Sequence, residues 1–322
     1  MAKTATRESP TERPAGSPEA AAAAATPARR RVDRGFVAAA VVYVGFLAAM
    51  WGAHMLVTKP RLKITPYDVV ARPGEEVELA VKVERDLPGR FNPDREGIAM
   101  LLGLLAPGSP ALKAVTDREG IARARLAAPE TAGTHRFRAG PEEAGRYTIK
   151  SGRMPPRLAV IDGSKPILVC DIDDTVTAGG GWKLLFAHGD PRPMPGSPEV
   201  LRGLAKRFQL LFLTARDDTF LNETRDWLIA RGFPDAAVIG RDWSLRTLEG
   251  AGEFKEKTLK AWTQRFGAVA WGIGNSKGDC RAYREAGIPH ITLERSRCPE
   301  EGAVPCRPAR DWTEVAAHLR GG

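Results

Sequence analysis

Apolar positions recur every second residue over much of 61–162. Val77, Leu79, Val81 and Val83 alternate with Glu76, Glu78, Lys82 and Glu84 behind the turn Arg72-Pro73-Gly74-Glu75, the pattern of a half-buried strand. A second alternation runs from Ile121 to Leu126 after the turn Asp117-Arg118-Glu119-Gly120, and shorter strand-like runs surround Thr134–Arg138 and Tyr147–Lys150. Short strands between Gly/Pro/Asp turns predict a small all-β sandwich over 61–162. From 164 onward the pattern changes. Apolar runs at Pro166–Cys170, Gln209–Leu213, Val269–Ile273 and His290–Leu293 predict strands. Between and after them, helical periodicity covers Glu199–Arg207, Phe220–Arg231, Glu253–Phe266, Asp279–Ala286 and Trp312–Leu319. Strands alternating with helices predict an α/β domain with a parallel sheet over 164–322.

Two segments precede these. Phe36–Val57 is 22 residues without a formal charge, roughly 33 Å as a helix, which is the reach of a membrane span. We expect a transmembrane signal anchor over 35–58, with the tail inside and the folded part outside the cytoplasm. Residues 1–34 are rich in Ala and Pro, and we expect them to be a disordered tail.

Composition narrows the class but not the function. The chain has 322 residues, 43% hydrophobic and 27% charged, an ordinary globular balance. Four cysteines exclude a disulfide-framework fold. A Cys298–Cys306 disulfide would close a short loop, and free thiols fit the sequence equally well. The net charge of +9 suits nucleic acid, an anionic membrane or an anionic substrate. No basic stretch interleaved with aromatics is present, so no specific nucleic-acid partner is expected.

The chemistry concentrates at strand ends. Val169-Cys170 runs directly into Asp171, Asp173 and Asp174. Carboxylates this close repel, and a hard divalent cation is the natural reason to gather them. If the chain turns right after Asp171, Asp171 and Asp173 converge on one site. The next predicted strand ends in Thr214-Ala215-Arg216, a hydroxyl and backbone N–H groups suited to a phosphate oxygen. Phe254-Lys255-Glu256-Lys257 opens a helix and offers an ammonium. Gly274-Asn275-Ser276-Lys277-Gly278-Asp279 follows the third strand, its glycines allowing a tight turn and Asp279 adding a carboxylate.

This order of motifs resembles the haloacid dehalogenase (HAD) superfamily of phosphohydrolases. Asp171-Ile172-Asp173-Asp174-Thr175-Val176-Thr177 is similar to the opening motif of the lipin catalytic domain. Thr214-Ala215-Arg216 with Thr224–Leu228, Phe254-Lys255, and Gly274-Asn275 through Asp279, Tyr283 and Gly287-Ile288 resemble that family's later motifs. The resemblance covers roughly residues 165–294. It implies a HAD-like Rossmannoid sheet with a minimal cap. It also implies Asp171 as nucleophile, Asp173 as general acid and base, and Thr214 and Lys255 holding phosphoryl oxygens. Mg²⁺ would be held by Asp171, the Asp173 carbonyl and Asp279, with Asn275 orienting its water. The spacing leaves little room for a large cap, and the loop from Gly179 to Phe186, with Trp182, Leu184 and Leu185, would lie beside the nucleophile.

The expected function is a membrane-anchored, Mg²⁺-dependent phosphomonoester hydrolase acting through an aspartyl-phosphate. Phosphatidic acid or a related phospholipid is the expected substrate. The alternatives are a non-catalytic phosphatidate-binding module and a phosphatase for nucleotides or nucleic-acid ends. The β-domain also resembles immunoglobulin-like repeats over about half its length, from Val115-Thr116-Asp117 to Thr131–Thr134. No catalytic constellation is evident in it.

Overall fold

The structure is a computed structural model that describes residues 34–57, 59–87, 92–179, 191–241, 250–267, 269–293 and 303–320. Two compact units divide the chain at Thr58/Lys59. Among the described residues the first holds one helix, α1 (Arg34–Val57). Among the described residues no helix is long and apolar enough to cross a membrane. This overturns the expected transmembrane anchor over 35–58, and with it the single-pass placement and the membrane partnership through that helix. The charge-free run is a helix, but six alanines and three glycines fill much of its 24 residues. Such small side chains contribute little transfer free energy. Apart from Arg34, the expected disordered tail lies outside the described residues.

The second unit begins with nine strands: β1 (Arg61–Pro66), β2 (Val69–Ala71), β3 (Glu76–Arg85), β4 (Ala99–Leu104), β5 (Leu112–Val115), β6 (Ile121–Ala127), β7 (Gly133–Pro141), β8 (Thr148–Lys150) and β9 (Arg157–Val160). They form a four-stranded sheet, β6-β3-β1-β8, and a five-stranded sheet, β2-β9-β7-β4-β5. The alternation in β3 does what a period of two requires: Val77, Leu79, Val81 and Val83 are all buried. They meet Met100, Leu102, Phe137 and Leu158 from the other sheet in one core, as in a sandwich.

The chain then builds a six-stranded parallel sheet in the order β14-β13-β10-β15-β16-β17. Its elements are β10 (Ile167–Cys170), a short hairpin of β11 (Thr177–Ala178) and β12 (Arg192–Pro193), α2 (Ser197–Leu204), β13 (Gln209–Asp217), α3 (Leu221–Ala230), β14 (Ala237–Arg241), α4 (Ala251–Phe266), β15 (Val269–Gly274), α5 (Lys277–Glu285), β16 (His290–Leu293), β17 (Cys306–Ala309) and α6 (Trp312–Arg320). Alternate residues of β10 face opposite layers. Leu168 and Cys170 pack with α2, α3 and α6 through Leu201, Trp227 and Trp312. Ile167 and Val169 pack with α4 and α5 through Leu259, Trp262 and Tyr283. Continuous apolar strands buried on both faces are what a parallel sheet between two helix layers requires.

The sandwich shares this second core. Val70, Ala159 and Ile161 belong to the same buried cluster as Val169 and Leu211. A polar seam joins the two along α3. Asp68 accepts from Arg225 Nη1 at 2.7 Å and from the backbone of Arg157 and Val238 at 2.9 and 2.8 Å. Asn222 Nδ2 donates to the Ile64 carbonyl at 2.7 Å. Asp226 receives the backbone N–H groups of Arg153 and Met154. Polar groups that a free α3 would show to water are thus paired against the sandwich, Asn222 and Arg225 buried and Asp226 half-buried.

The loop expected beside the nucleophile, with Trp182, Leu184, Leu185 and Phe186, lies outside the described residues except at Gly179. Cys306 is disulfide-bonded, while Cys298, its expected partner, lies outside the described residues.

Candidate active site

β10 ends at Cys170, and the chain turns at once. Thr175, Val176 and Thr177 all direct their N–H groups to the Ile172 carbonyl. Asp174 closes the turn with φ of 56°, a left-handed conformation that Asp tolerates better than most residues. The turn points Asp171 and Asp173 toward the carboxyl end of the sheet, where open α/β sheets hold their ligands.

Asp171 is buried. Its Oδ2 accepts from Thr175 Oγ1 at 2.8 Å, and its Oδ1 lies 2.5 Å from Lys255 Nζ. Lys255, in the second turn of α4, also contacts Asp279 Oδ1. One ammonium therefore bridges two buried carboxylates. Asp279 sits in the first turn of α5 and completes a capping box with Ser276. Its Oδ2 accepts from Ser276 Oγ at 2.8 Å, Ser276 N at 3.0 Å and Asn275 N at 3.2 Å. Asn275 Oδ1 lies 3.2 Å from Thr175 Oγ1, beside Asp171.

Two glycines of β15 make this approach possible. A Cβ on Gly274 would meet Asp279 Cβ at 2.6 Å, and one on Gly272 would meet the Tyr283 ring at 2.4 Å. Neither is in the left-handed region. Gly274, expected to serve a tight turn, is thus needed for close packing, as is Gly272: both let α5 lie against the strand end.

The electrostatics follow from one cation between two anions in a low-dielectric site. Burial and the charge of Asp279 push the Asp171 carboxyl up to about 7, against the pull of Lys255. Burial also disfavours the Asp279 anion, but Lys255 and the Ser276 hydrogen bonds outweigh it and hold that carboxyl low. Burial works against the Lys255 ammonium, and the two carboxylates overcome it and raise its pKa. The site thus carries surplus negative charge, made only of oxygen donors. That donor set fits a hard divalent cation such as Mg²⁺, with Asp171 and Asp279 as the carboxylates able to hold it.

Asp173 is held differently. Its side chain is 30% exposed, against 4% for Asp171, so it is the carboxylate that solvent can reach. Arg216 grips it as a fork, Nε at 3.0 Å from Oδ2 and Nη2 at 2.8 Å from Oδ1. Thr214 Oγ1 donates to Asp173 Oδ2 at 3.1 Å and accepts from Arg216 N at 3.2 Å. Arg216 is itself steadied by Thr224 Oγ1, at 2.9 Å from Nη1.

The six residues singled out in the sequence, Asp171, Asp173, Thr214, Lys255, Asn275 and Asp279, therefore lie around one strand-end site. Lys257, the other lysine of the Phe254–Lys257 motif, is exposed and pairs with Glu253 at 3.0 Å. Two further residues join the site. Thr175 was visible only as part of the opening motif, and Arg216 only as the third residue of Thr214-Ala215-Arg216. The Arg216 grip on Asp173 depends on the parallel pairing of β10 with β13.

Residues 168–293, less than half of the chain, match the family model described as PITM 1-3, LNS2 domain, so this stretch is similar to that domain. No curated protein sequence matches the chain. Among solved structures, the HAD domain of the effector protein Lem4 from Legionella pneumophila is 12% identical, with a TM-score of 0.35, covering 48% of this chain and 94% of that one. The core domain of a candidate phosphoglycolate phosphatase from Streptococcus pneumoniae TIGR4 is 16% identical, with a TM-score of 0.33, covering 49% and 98%. A chain of the Pnkp1/Rnl/Hen1 RNA repair complex is 15% identical, with a TM-score of 0.34, covering 53% and 49%. At such identities and TM-scores the likeness says nothing about substrate.

Proposed function

We propose that the chain is a Mg²⁺-dependent phosphomonoester hydrolase that works through an aspartyl-phosphate on Asp171, with phosphatidic acid as the substrate to test first. The observation that carries this reading is the pair of buried carboxylates, Asp171 and Asp279, sharing the single Lys255 ammonium while Asp173 stands more exposed beside them. An arrangement with one anion in excess costs stability and is explained by a cationic ligand and an electrophile that use it.

Asp171 presents a carboxylate oxygen as nucleophile, its other oxygen fixed by Thr175. Mg²⁺ would be held by Asp171, Asp279 and the Asp173 main-chain carbonyl, with Asn275 beside it, and when bound it would neutralise repulsion between carboxylate and phosphate. Lys255 stands where it can also pair with a phosphoryl oxygen. Asp173 carries the proton for the leaving alkoxide and then takes one from water. Arg216 and Thr214 fix the direction from which it does so. The Thr214 hydroxyl, expected on phosphate, is engaged with Asp173. Its part is thus in orienting the acid as well as in lining the phosphate site.

The lipid assignment rests on the lipin-like motifs and on the LNS2 match over 168–293. The test is phosphate release by the full chain, with Mg²⁺ or with chelator, on phosphatidic acid in mixed micelles, an aryl phosphate and a nucleoside monophosphate. Mg²⁺-dependent turnover with phosphatidic acid preferred is the expected result. Equal turnover of all three would remove the lipid assignment and leave the hydrolase. No turnover on any of them would remove both.

A further inference from the structure

A second cluster of ligating side chains lies toward the other edge of the parallel sheet. β16 and β17 pair in parallel, with His290 directly opposite Cys306. Cys280, in the first turn and a half of α5, packs beside them. A ring nitrogen of His290 and the sulfurs of Cys280 and Cys306 lie within 4.8 Å of one another. Cys280 and His290 are buried, and Cys306 is half-buried.

The histidine ring is anchored by the backbone. Its Nδ1 faces the Ile288 carbonyl at 3.1 Å. A carbonyl only accepts, so Nδ1 bears the proton and Nε2 keeps the lone pair. Its ring stacks on Tyr283, centroids 5.5 Å apart. A backbone carbonyl fixing the tautomer of an imidazole is the usual support of a metal-bound histidine. Two sulfurs and one imidazole nitrogen form a soft, borderline donor set, unlike the all-oxygen set around Asp171.

In the structure Cys306 is disulfide-bonded while Cys280 is a free thiol. We propose that Cys280, His290 and Cys306 form a redox-gated Zn²⁺ site, closed while the Cys306 disulfide stands and opened by a thiol reductant. The reduction balances: two reductant thiols become one disulfide, and the protein disulfide becomes two cysteine thiols. Cys280 and Cys306 then each lose a proton to solvent as they bind the ion. At ~2.3 Å for Zn–S and ~2.0–2.1 Å for Zn–N, tetrahedral ligand atoms stand about 3.5–3.8 Å apart. Closing from 4.8 Å needs side-chain movements on the order of 1 Å. A three-ligand site leaves the fourth position to water. Because Cys280 follows Asp279, a loaded site would also tie down the turn of α5 that carries the catalytic-site carboxylate.

The experiment uses the full chain, either reduced with a thiol and desalted anaerobically or left oxidised. Zinc is titrated against a chromogenic chelator, and Co²⁺ serves as the spectroscopic probe. The expected result is one Zn²⁺ per reduced chain, at least tenfold weaker binding by the oxidised chain and by reduced Cys280→Ser, and a thiolate-to-cobalt charge-transfer band. Asp171→Asn keeps the zinc and the band, which separates this site from the carboxylate centre. Cys306→Ser, altering a half-buried edge position, gives the same loss and serves if Cys280→Ser does not fold. Undiminished binding by either cysteine variant, absence of the cobalt band, no zinc in the reduced chain, or loss of zinc with Asp171→Asn would each overturn the proposal.

Discussion

Two buried ionic clusters in this chain use the same chemistry to opposite ends. At the seam between sandwich and parallel sheet, Asp68 and Arg225 are both fully buried and pair one to one. Backbone N–H groups complete Asp68, and the Pro66 carbonyl and Asn222 complete most of Arg225. Among the described side-chain atoms of that pair, only Arg225 Nε lacks a partner. At the strand end, Asp171 and Asp279 are as buried but share one ammonium. The first cluster is balanced and acts as a joint. The second is out of balance by one charge. Burial alone does not mark a functional site. An uncompensated charge, held in place by neighbours that could have been apolar, does.

Substitutions that treat the two clusters alike should expose the difference. Asp171→Asn is expected to lower phosphate turnover by at least about 10³-fold. In chelator it should leave the unfolding midpoint unchanged or raised, because one of two crowded anions is gone. Steady-state assay and thermal melting check both halves, and a collapse in stability would erase the contrast. Arg225→Met should do the reverse. Removing one partner of a buried pair costs about 3–5 kcal/mol, read by urea unfolding, while turnover per folded molecule stays near the parent value.

Arg216→Lys probes the link between the two regions. Arg216 holds Asp173 and rests on Thr224 of α3, the helix that carries Arg225. A lysine cannot reproduce the planar fork, and a misplaced acid costs on the order of 10–100-fold in kcat. The KM and the unfolding midpoint should scarcely move, which a kinetic and melting comparison would show.

Asp218 is the intermediate case. Burial and neighbouring Asp217 raise its carboxyl to about 7, against Lys82 and the Tyr67 hydroxyl, 2.7 Å away. The folded chain thus keeps a proton that the unfolded chain releases near pH 4. Stability should be greatest at the acid end of that window and fall as pH rises from about 4 through about 7, by on the order of 4 kcal/mol at most. Asp218→Asn should flatten the slope in denaturant titrations across pH. A slope of opposite sign would show that Asp218 is ionised, held by Lys82 and the Tyr67 hydroxyl.

The site was legible because each part is written locally: a strand running into Asp171 and Asp173, a strand ending at Thr214, a helix opening on Lys255, and a glycine-bearing turn before Asp279. Elements lacking local contrast were not. β4 is apolar at every position except Gly103, so its alternation of burial has no sequence counterpart. β17 contains Arg307 and Pro308 and survives only as an edge strand. The Asp68–Arg225 joint spans 157 positions, a separation that no periodicity reports. The uncharged run at 36–57 misled in the other direction, because absence of charge is not the same as apolar bulk.

The measurement closest to the central claim is rapid acid quench of the full chain with a phosphorus-labelled aryl phosphate and Mg²⁺, followed by peptide mapping. The account predicts acid-stable, base-labile label on Asp171, absent in chelator and in Asp171→Asn. Turnover without label on Asp171, or label that persists in Asp171→Asn, would contradict it.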